Sequence, residues 1–297
     1  MMREIKGIIE KGIGGFYYVR IQSGDLVECK ARGLFRKEGI SPLAGDSVVL
    51  LEGEGQSYTI HEILPRKNKL IRPPIANLDQ LMIVVSVCDP NPNMLVIDKL
   101  IAAAETQKIQ PILIFTKSDL QSAKSLTDVY SNVGIPYFEI SSSKKIGLEP
   151  IKPLLKGKLT ALTGNTGVGK SSLLNQLLPG ENLETGEISR KLGRGRHTTR
   201  QVELLPVPGG GYVADTPGFS SIQLERYVPV KKEELQYCFR EFIPYIDQCQ
   251  FQGCSHVCEK GCAVLKAMKD GKISESRHQS YCEMYEQIKE IKDWERK

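Results

Sequence analysis

Long apolar runs are missing from this chain: none exceeds five residues, as in Leu81 to Val85. A membrane-spanning helix needs about 20, so no membrane anchor and no membrane partner is expected. The opening MMREIKGIIEKG carries charge throughout and has no apolar h-region, so it does not read as a signal peptide. Internal repeats and low-complexity segments are absent as well. Charge of one sign is not in large excess: the net charge is +5 and the pI about 8.6. That bias is compatible with a nucleic-acid partner but does not demand one. These absences together point to the cytoplasm. In a reducing compartment, cysteines that cluster suggest a metal rather than disulfides.

What is present divides into three zones. The length, 297 residues, exceeds what one core usually organises, so two or three domains are expected. Residues 1–64 hold short β-like runs, FYYVRI, LVECKA, DSVVLLE and SYTIHEIL, separated by glycine-containing turns. About five short strands without a convincing helix suggest a small closed barrel of the OB type. Residues 65–222 alternate strand runs (LMIVVSV, PILIFTK, YFEIS, KLTALTG) with helical spacing (MLVIDKLIAAAETQ, SSLLNQLL). That alternation predicts an α/β domain, a mostly parallel sheet covered by helices, with ligands beyond the carboxyl ends of its strands. Residues 223–297 read as mainly helical, with a Cys/His cluster and a charged amphipathic helix at the end.

Between a strand run and a helix run, Gly164-Asn165-Thr166-Gly167-Val168-Gly169-Lys170-Ser171 matches the phosphate-loop pattern GxxxxGK[ST]. Glycines let backbone N–H groups turn inward around phosphates, and the following helix N-terminus, with Ser172 in its first turn, adds partial positive charge. Lys170 is expected on the β- and γ-phosphates, in a catalytic role, and the Ser171 hydroxyl on Mg²⁺. Asp215-Thr216-Pro217-Gly218 follows the strand run GYVA. Asp215 is placed to hold Mg²⁺ through water, and the Gly218 amide to sense the γ-phosphate.

Thr116-Lys117-Ser118-Asp119 follows PILIF and is similar to the NKxD base-recognition motif of GTPases. One carboxylate, Asp119, can accept from both guanine N1–H and the exocyclic amine, a donor pair that adenine lacks. The Lys117 stem can pack over the ring. Thr116 has no carboxamide, so a brace to the phosphate loop or to the base is expected to be lost and affinity to be modest. Ser141-Ser142-Ser143, after YFEI, sits where GTPases carry a second base-contacting loop. The order is rotated. An ordinary GTPase runs phosphate loop, switch, DxxG, NKxD, Ser-rich loop; here TKSD and SSS come first, and DTPG ends the domain. A compact domain tolerates such a permutation when its termini lie close together.

The permuted motifs, the N-terminal β-zone, and GRGRHTTR and DTPGF ahead of a Cys/His cluster resemble the RsgA-type (YjeQ-type) ribosome small-subunit-dependent GTPases over essentially the whole chain. The resemblance implies an OB-fold, a circularly permuted GTPase domain and a C-terminal zinc domain. It also implies binding to the small ribosomal subunit and its rRNA, assistance to late maturation, and subunit-stimulated GTP hydrolysis.

The basic, glycine-bearing segment TGEISRKLGRGRHTTR at 185–200 reads as a switch loop. Thr198 or Thr199 would bring a hydroxyl to Mg²⁺, with Thr199 preferred. Phe219 stands where many GTPases carry a water-orienting Gln. His197 can replace it, and the resemblance points the same way; contact with RNA or with the loop backbone is the alternative. Slow intrinsic turnover is expected until a partner orders the switch. Cys249, Cys254, His256, Cys258 and Cys262 offer five soft donors in one short stretch, a pattern for structural Zn²⁺. Spacing alone allows Cys258 in place of His256 or Cys262; the resemblance favours Cys249, Cys254, His256 and Cys262. The competing functional classes are a small-molecule phosphotransferase and a nucleic-acid module with vestigial hydrolysis. The guanine-type TKSD argues against the first, and intact Lys170, Ser171 and Asp215 against the second. Nothing suggests an obligate dimer, so a monomer is expected.

Overall fold

The computed structural model describes residues 3–53, 55, 57–71, 73–178, 202–215 and 230–289, with the backbone alone at 36 and 215. His197, Thr199 and Gly218 lie outside the described residues.

The N-terminal strands are β1 (Glu4–Ile13), β2 (Phe16–Ile21), β3 (Leu26–Ala31), β4 (Ser47–Glu52) and β5 (Tyr58–Ile63), with a short helix α1 (Gly33–Lys37) between β3 and β4. They close into a barrel in the order β1-β2-β3-β5-β4. The β3–β5 pairing is parallel and the other ladders are antiparallel. One inward row, Ile9, Val19, Cys29, Val48, Leu50 and Ile60, fills the interior with Phe35 of α1. β1 is the strand that the apolar runs did not reveal. Its exposed first positions are Glu4 and Lys6, and Gly7 stands where a Cβ would meet Val19 Cγ1 at 2.5 Å. β1 pairs with both β2 and β4, and a bulge between Ile9 and Lys11 interrupts its ladder with β2.

A two-stranded ribbon, β6 (Lys69–Leu70) and β7 (Ile75–Ala76), leads into the central sheet. There follow β8 (Gln80–Ser86), α2 (Met94–Thr106), β9 (Gln110–Thr116), α3 (Lys124–Tyr130), β10 (Tyr137–Glu139), α4 (Lys152–Leu155), β11 (Leu159–Thr163), α5 (Lys170–Leu177), β12 (Leu204–Pro206) and β13 (Tyr212–Asp215). The spatial order is β10-β9-β8-β11-β13-β12, parallel throughout except for β12 at the edge. All seven residues of β8 are buried, which is why LMIVV shows no polar alternation. Leu81, Ile83 and Val85 face a core shared with Ile97, Leu100 and Ile101 of α2 and Leu126 and Tyr130 of α3. Met82 and Val84 face the opposite core, with Leu155 of α4 and Leu173, Leu174 and Leu177 of α5.

The C-terminal region holds α6 (Ile243–Ile246), α7 (Ala263–Lys269) and α8 (Glu275–Lys289), preceded by two short 3-10 turns. Its core, Leu235, Phe239, Phe242, Val264, Tyr281, Met284 and Ile288, also takes in Ala102 and Ala103 of α2. Across this junction the fully buried Arg277 of α8 donates to Asp98 of α2 (Nη1–Oδ1, 2.5 Å) and to Glu241 (Nε–Oε1, 2.7 Å). Its guanidinium lies over the Phe239 ring at 4.5 Å, and the Tyr130 hydroxyl donates to Asp98 at 2.8 Å. Burial raises the Asp98 carboxyl above the usual range, with Arg277 opposing it. Removing one member of such a set costs about 3–5 kcal/mol, because the charge left behind is buried and uncompensated. Arg240 adds a second tie to the sheet domain through Glu105 at 2.7 Å.

Candidate nucleotide site and Cys/His centre

The motif-bearing segments leave the carboxyl ends of adjacent strands. β11 runs into the phosphate loop, β13 ends at Asp215, β9 ends at Thr116, and β10 leads to the serine loop. Leu162 pairs with Asp215 and Ser86 with Thr116. The sheet therefore brings together segments that are far apart in sequence, at the edge where parallel sheets bind ligands.

Two glycines set the shape of the phosphate loop. Gly164 has φ +146°, and a Cβ there would lie 2.2 Å from the Val84 carbonyl oxygen, so only glycine lets the loop sit down on β8. Gly169, φ +95°, turns the chain into α5. Val168 between them is buried and anchors the loop. Lys170 Nζ donates to the carbonyls of Gly164 (2.9 Å) and Asn165 (2.8 Å), which holds the ammonium across the mouth of the loop. Ser171 and Ser172 follow in the first turn of α5, while Thr166 and Gly167 form the exposed tip.

Thr116 is buried, and its hydroxyl donates to the Val168 carbonyl at 2.6 Å. The brace to the phosphate loop that a Thr was expected to forfeit is therefore kept: a hydroxyl reaches the loop as an amide would. Lys117, at φ +60°, donates through Nζ to the Asp89 carbonyl. Ser118 N donates to the Ile140 carbonyl at 3.2 Å, which ties the motif to the end of β10. Ser143 Oγ donates to Asp119 Oδ2 at 2.8 Å and lies 3.0 Å from Ser141 Oγ. Hydrogen bonding by Ser141 and Ser143 holds the Asp119 carboxyl below its ordinary range. The acid is thus kept in its acceptor form. Gln176 of α5 donates Nε2 to the Ser142 carbonyl at 2.7 Å and links the serine loop to the phosphate-loop helix. Sequence reading missed Gln176, since a Gln in the second turn of a helix carries no signal of its own.

In the C-terminal region, one ligand atom from each of Cys249, Cys254, His256 and Cys262 lies within 4.8 Å of the others. Cys249 Sγ and Cys262 Sγ are 3.9 Å apart, and His256 Nδ1 stands 3.6 Å and 3.3 Å from them. Zinc bond lengths of about 2.3 Å to sulfur and 2.0–2.1 Å to nitrogen give tetrahedron edges of about 3.5–3.8 Å, so this Cys₃His set fits a zinc site. Cys258 is exposed and stands outside the group. Backbone N–H groups of Ala263 and Leu265 donate to Cys249 Sγ and Cys262 Sγ, as thiolates require. His256 Nε2 faces Gln236 Oε1 at 2.7 Å, which assigns the proton to Nε2 and frees Nδ1 for the cluster. Burial lowers the His256 imidazole below its usual value and keeps it neutral, as a ligand must be. Burial also pushes the Cys254 thiol up to about 12, so a thiolate there needs a cation's charge beside it. The Tyr281 hydroxyl and His278 Nε2 of α8 donate to the Ser255 and His256 carbonyls and pin the ligand loop to the helix. Cys29, Cys238 and Cys282 stand apart from the cluster; burial pushes their thiols up to about 12, 11 and 11, which leaves them unreactive.

A phosphate loop on a central parallel strand, a TKSD loop on the strand two places away, and a rotated motif order define a circularly permuted P-loop GTPase. Comparison with known proteins narrows this. The RsgA GTPase family model matches residues 63–225, and the RsgA N-terminal domain model matches residues 6–58. The small ribosomal subunit biogenesis GTPase RsgA of Ruminiclostridium cellulolyticum is 44% identical over 296 residues, covering 98% of this chain and 96% of the relative. That of Caldanaerobacter subterraneus subsp. tengcongensis is 45% identical over 293 residues, covering 97% of each. The crystal structure of YjeQ from Thermotoga maritima superposes with a TM-score of 0.84 at 33% identity, covering 98% of this chain and 100% of that one. YloQ, described as a circularly permuted GTPase, gives 0.80 at 36% identity over 98% and 96% of the two chains. The chain belongs to the RsgA GTPase family.

Proposed function

We propose that this protein hydrolyses GTP and acts in the late maturation of the small ribosomal subunit, with hydrolysis stimulated by that subunit. One observation carries the nucleotide part: the phosphate loop, Asp215 and the TKSD loop all leave the same edge of one parallel sheet, although the chain visits them in rotated order. The ribosomal part rests on the relatives, which are named for small-subunit biogenesis along nearly their full length.

In this reading, backbone amides of residues 164–169 and the N-terminal turn of α5, with Ser171 and Ser172, cradle the phosphates. Lys170 exchanges its two loop carbonyls for phosphate oxygens as nucleotide enters. Asp119 accepts from the guanine edge, Lys117 covers the ring, and Thr116, Ser118 and Ser141 to Ser143 hold these two in place. Gly218 senses the γ-phosphate, and His197 orients the attacking water. Ser171, Asp215 and Thr199 would hold a Mg²⁺ that neutralises charge on the transferring phosphate. Cys249, Cys254, His256 and Cys262 would hold one structural Zn²⁺, with no position left open for chemistry.

The barrel suits an RNA phosphate partner: Lys30 lies over the exposed Phe16 ring at 5.1 Å on the barrel's outer face. A cytoplasmic location and a monomeric state belong to the same proposal; among the described residues no helix is long and apolar enough to cross a membrane. The test is GTP hydrolysis by the purified protein alone and with isolated small subunits, large subunits or whole ribosomes. Slow intrinsic turnover raised selectively by the small subunit is the expected result. Fast hydrolysis by the protein alone, or equal rates in every mixture, would remove the ribosomal assignment.

A further inference from the structure

Four hydrogen bonds converge on one side chain beside the Cys/His cluster. The Glu259 carboxylate accepts through Oε1 from the Ser255 amide at 2.8 Å and from the Ser255 hydroxyl, and through Oε2 from the Val257 and Cys258 amides at 3.1 and 3.2 Å. All four partners are donors, so both oxygens have to accept; an ionised carboxylate does this and a carboxamide cannot. The amides it gathers lie on either side of His256 along the chain. His256 stands at φ +59°, a backbone region that a residue with a Cβ occupies only where its surroundings fix it. Two carbonyls of the same turn, those of Ser255 and His256, are taken by Tyr281 and His278 of α8. The Glu259 carbonyl accepts from the Cys262 amide at 3.3 Å, which links the turn to a second member of the cluster. Held this way, His256 presents Nδ1 to the Cys249 and Cys262 sulfurs.

We propose that Glu259 is a positioning residue for the metal: its carboxylate fixes the left-handed turn at His256 and so delivers the imidazole as the fourth donor. The proposal rests on the reading of Cys249, Cys254, His256 and Cys262 as a zinc site. Glu259 is no ligand itself, since its oxygens are spent on the donors of the loop and it stands outside the four converging ligand atoms. Nor does its charge serve the ion: three thiolates already outweigh Zn²⁺, and a further anion nearby is repelled. What the carboxylate supplies is geometry, with its charge met by the amides that it binds. A histidine ligand is ordinarily oriented through its other ring nitrogen. Here Gln236 does that for the ring, and Glu259 does it for the backbone that carries the ring.

The experiment measures the Zn²⁺ affinity of the full chain by competition with a chromophoric chelator, in the unmodified protein, Glu259→Gln, His256→Gly and the double variant. Glu259→Gln keeps the shape of the side chain and removes one acceptor, and Zn²⁺ should bind about 10- to 100-fold more weakly. His256→Gly deletes the imidazole and tolerates the turn, because glycine takes a positive φ freely. With no ring left to position, adding Glu259→Gln should cost less than about 2-fold. Equal losses in both backgrounds would overturn the proposal, for Glu259 would then be steadying the loop whatever position 256 carries. Zn²⁺ affinity within about 2-fold of the unmodified protein in Glu259→Gln alone would overturn it as well. Should Glu259→Gln not fold, by its melting curve, Ser255→Ala asks the same question by removing the hydroxyl bond and leaving the amides. It should weaken Zn²⁺ by about 2- to 12-fold, and the loss should vanish in the His256→Gly background; no loss, or the same loss in both, overturns the proposal. An unmodified chain that takes up no Zn²⁺ would instead remove the zinc reading on which the proposal stands, a failure that appears before any variant is made.

Discussion

The nucleotide site and the Cys/His centre hold their functional atoms in opposite ways. At the phosphate loop, glycine dihedrals, the carbonyl contacts of Lys170 and the Thr116–Val168 bond shape the cradle from the chain's own backbone. At the Cys/His centre, three sulfurs and one imidazole converge in a region of short helices and turns, where burial opposes the thiolate form. The first site is built by the fold and receives its ligand. The second gathers side chains whose burial disfavours the thiolate form, so a cation held there would add to the stability of its surroundings.

Perturbing either site separately puts that contrast to the test. Stripping metal with a chelator, or Cys262→Ala, should remove on the order of 10 kcal/mol of local folding energy. Hydrogen exchange should then lose protection across 249–262, while GDP affinity changes by less than about 3-fold. A parallel collapse of nucleotide binding would mean that the two sites are one cooperative unit. Lys170→Ala should have the converse effect: GTP turnover falls about 100- to 1,000-fold, and the thermal midpoint moves by no more than about 2 °C. Gln176→Ala should produce the smallest change. It removes the bond from α5 to the Ser142 carbonyl, worth about 0.5–1.5 kcal/mol, and nucleotide affinity measured by titration should fall by about 2- to 12-fold. No change there would mean that the serine loop is positioned without help from the phosphate-loop helix.

Features written into a few neighbouring residues are legible in the sequence itself. GxxxxGKS names its own backbone conformation, because its glycines are needed where φ is positive and its lysine where phosphate arrives. TKSD is legible for the same reason, as are the strand runs of β8, β9 and β11, whose burial on both faces leaves an uninterrupted apolar signature. β1 is not, since its inward residues alternate with Glu and Lys and are interrupted by Gly7 and Gly12. The retained brace at Thr116 escapes a reading that judges residue type without distance. A hydroxyl suffices when the Val168 carbonyl is 2.6 Å away. Choosing between Cys258 and its neighbours needs three dimensions, as all five donors are plausible by spacing. The Asp98–Glu241–Arg277 set lies beyond reach, for nothing in one sequence couples an acid in one helix to an arginine 179 residues later.

That separation of 179 residues has a meaning in time as well as in space. A chain made from its N-terminus at about 5–20 residues per second exposes Asp98 roughly 10–40 s before Arg277 exists. Throughout that interval the newborn α2 carries a carboxylate that its final surroundings would exclude from water with no cation to meet it. The sheet domain can assemble its strands early, but the seam along α2 closes only when α8 is delivered. The junction between the sheet domain and the C-terminal region is therefore a late event in the making of this molecule, set by when Arg277 is added.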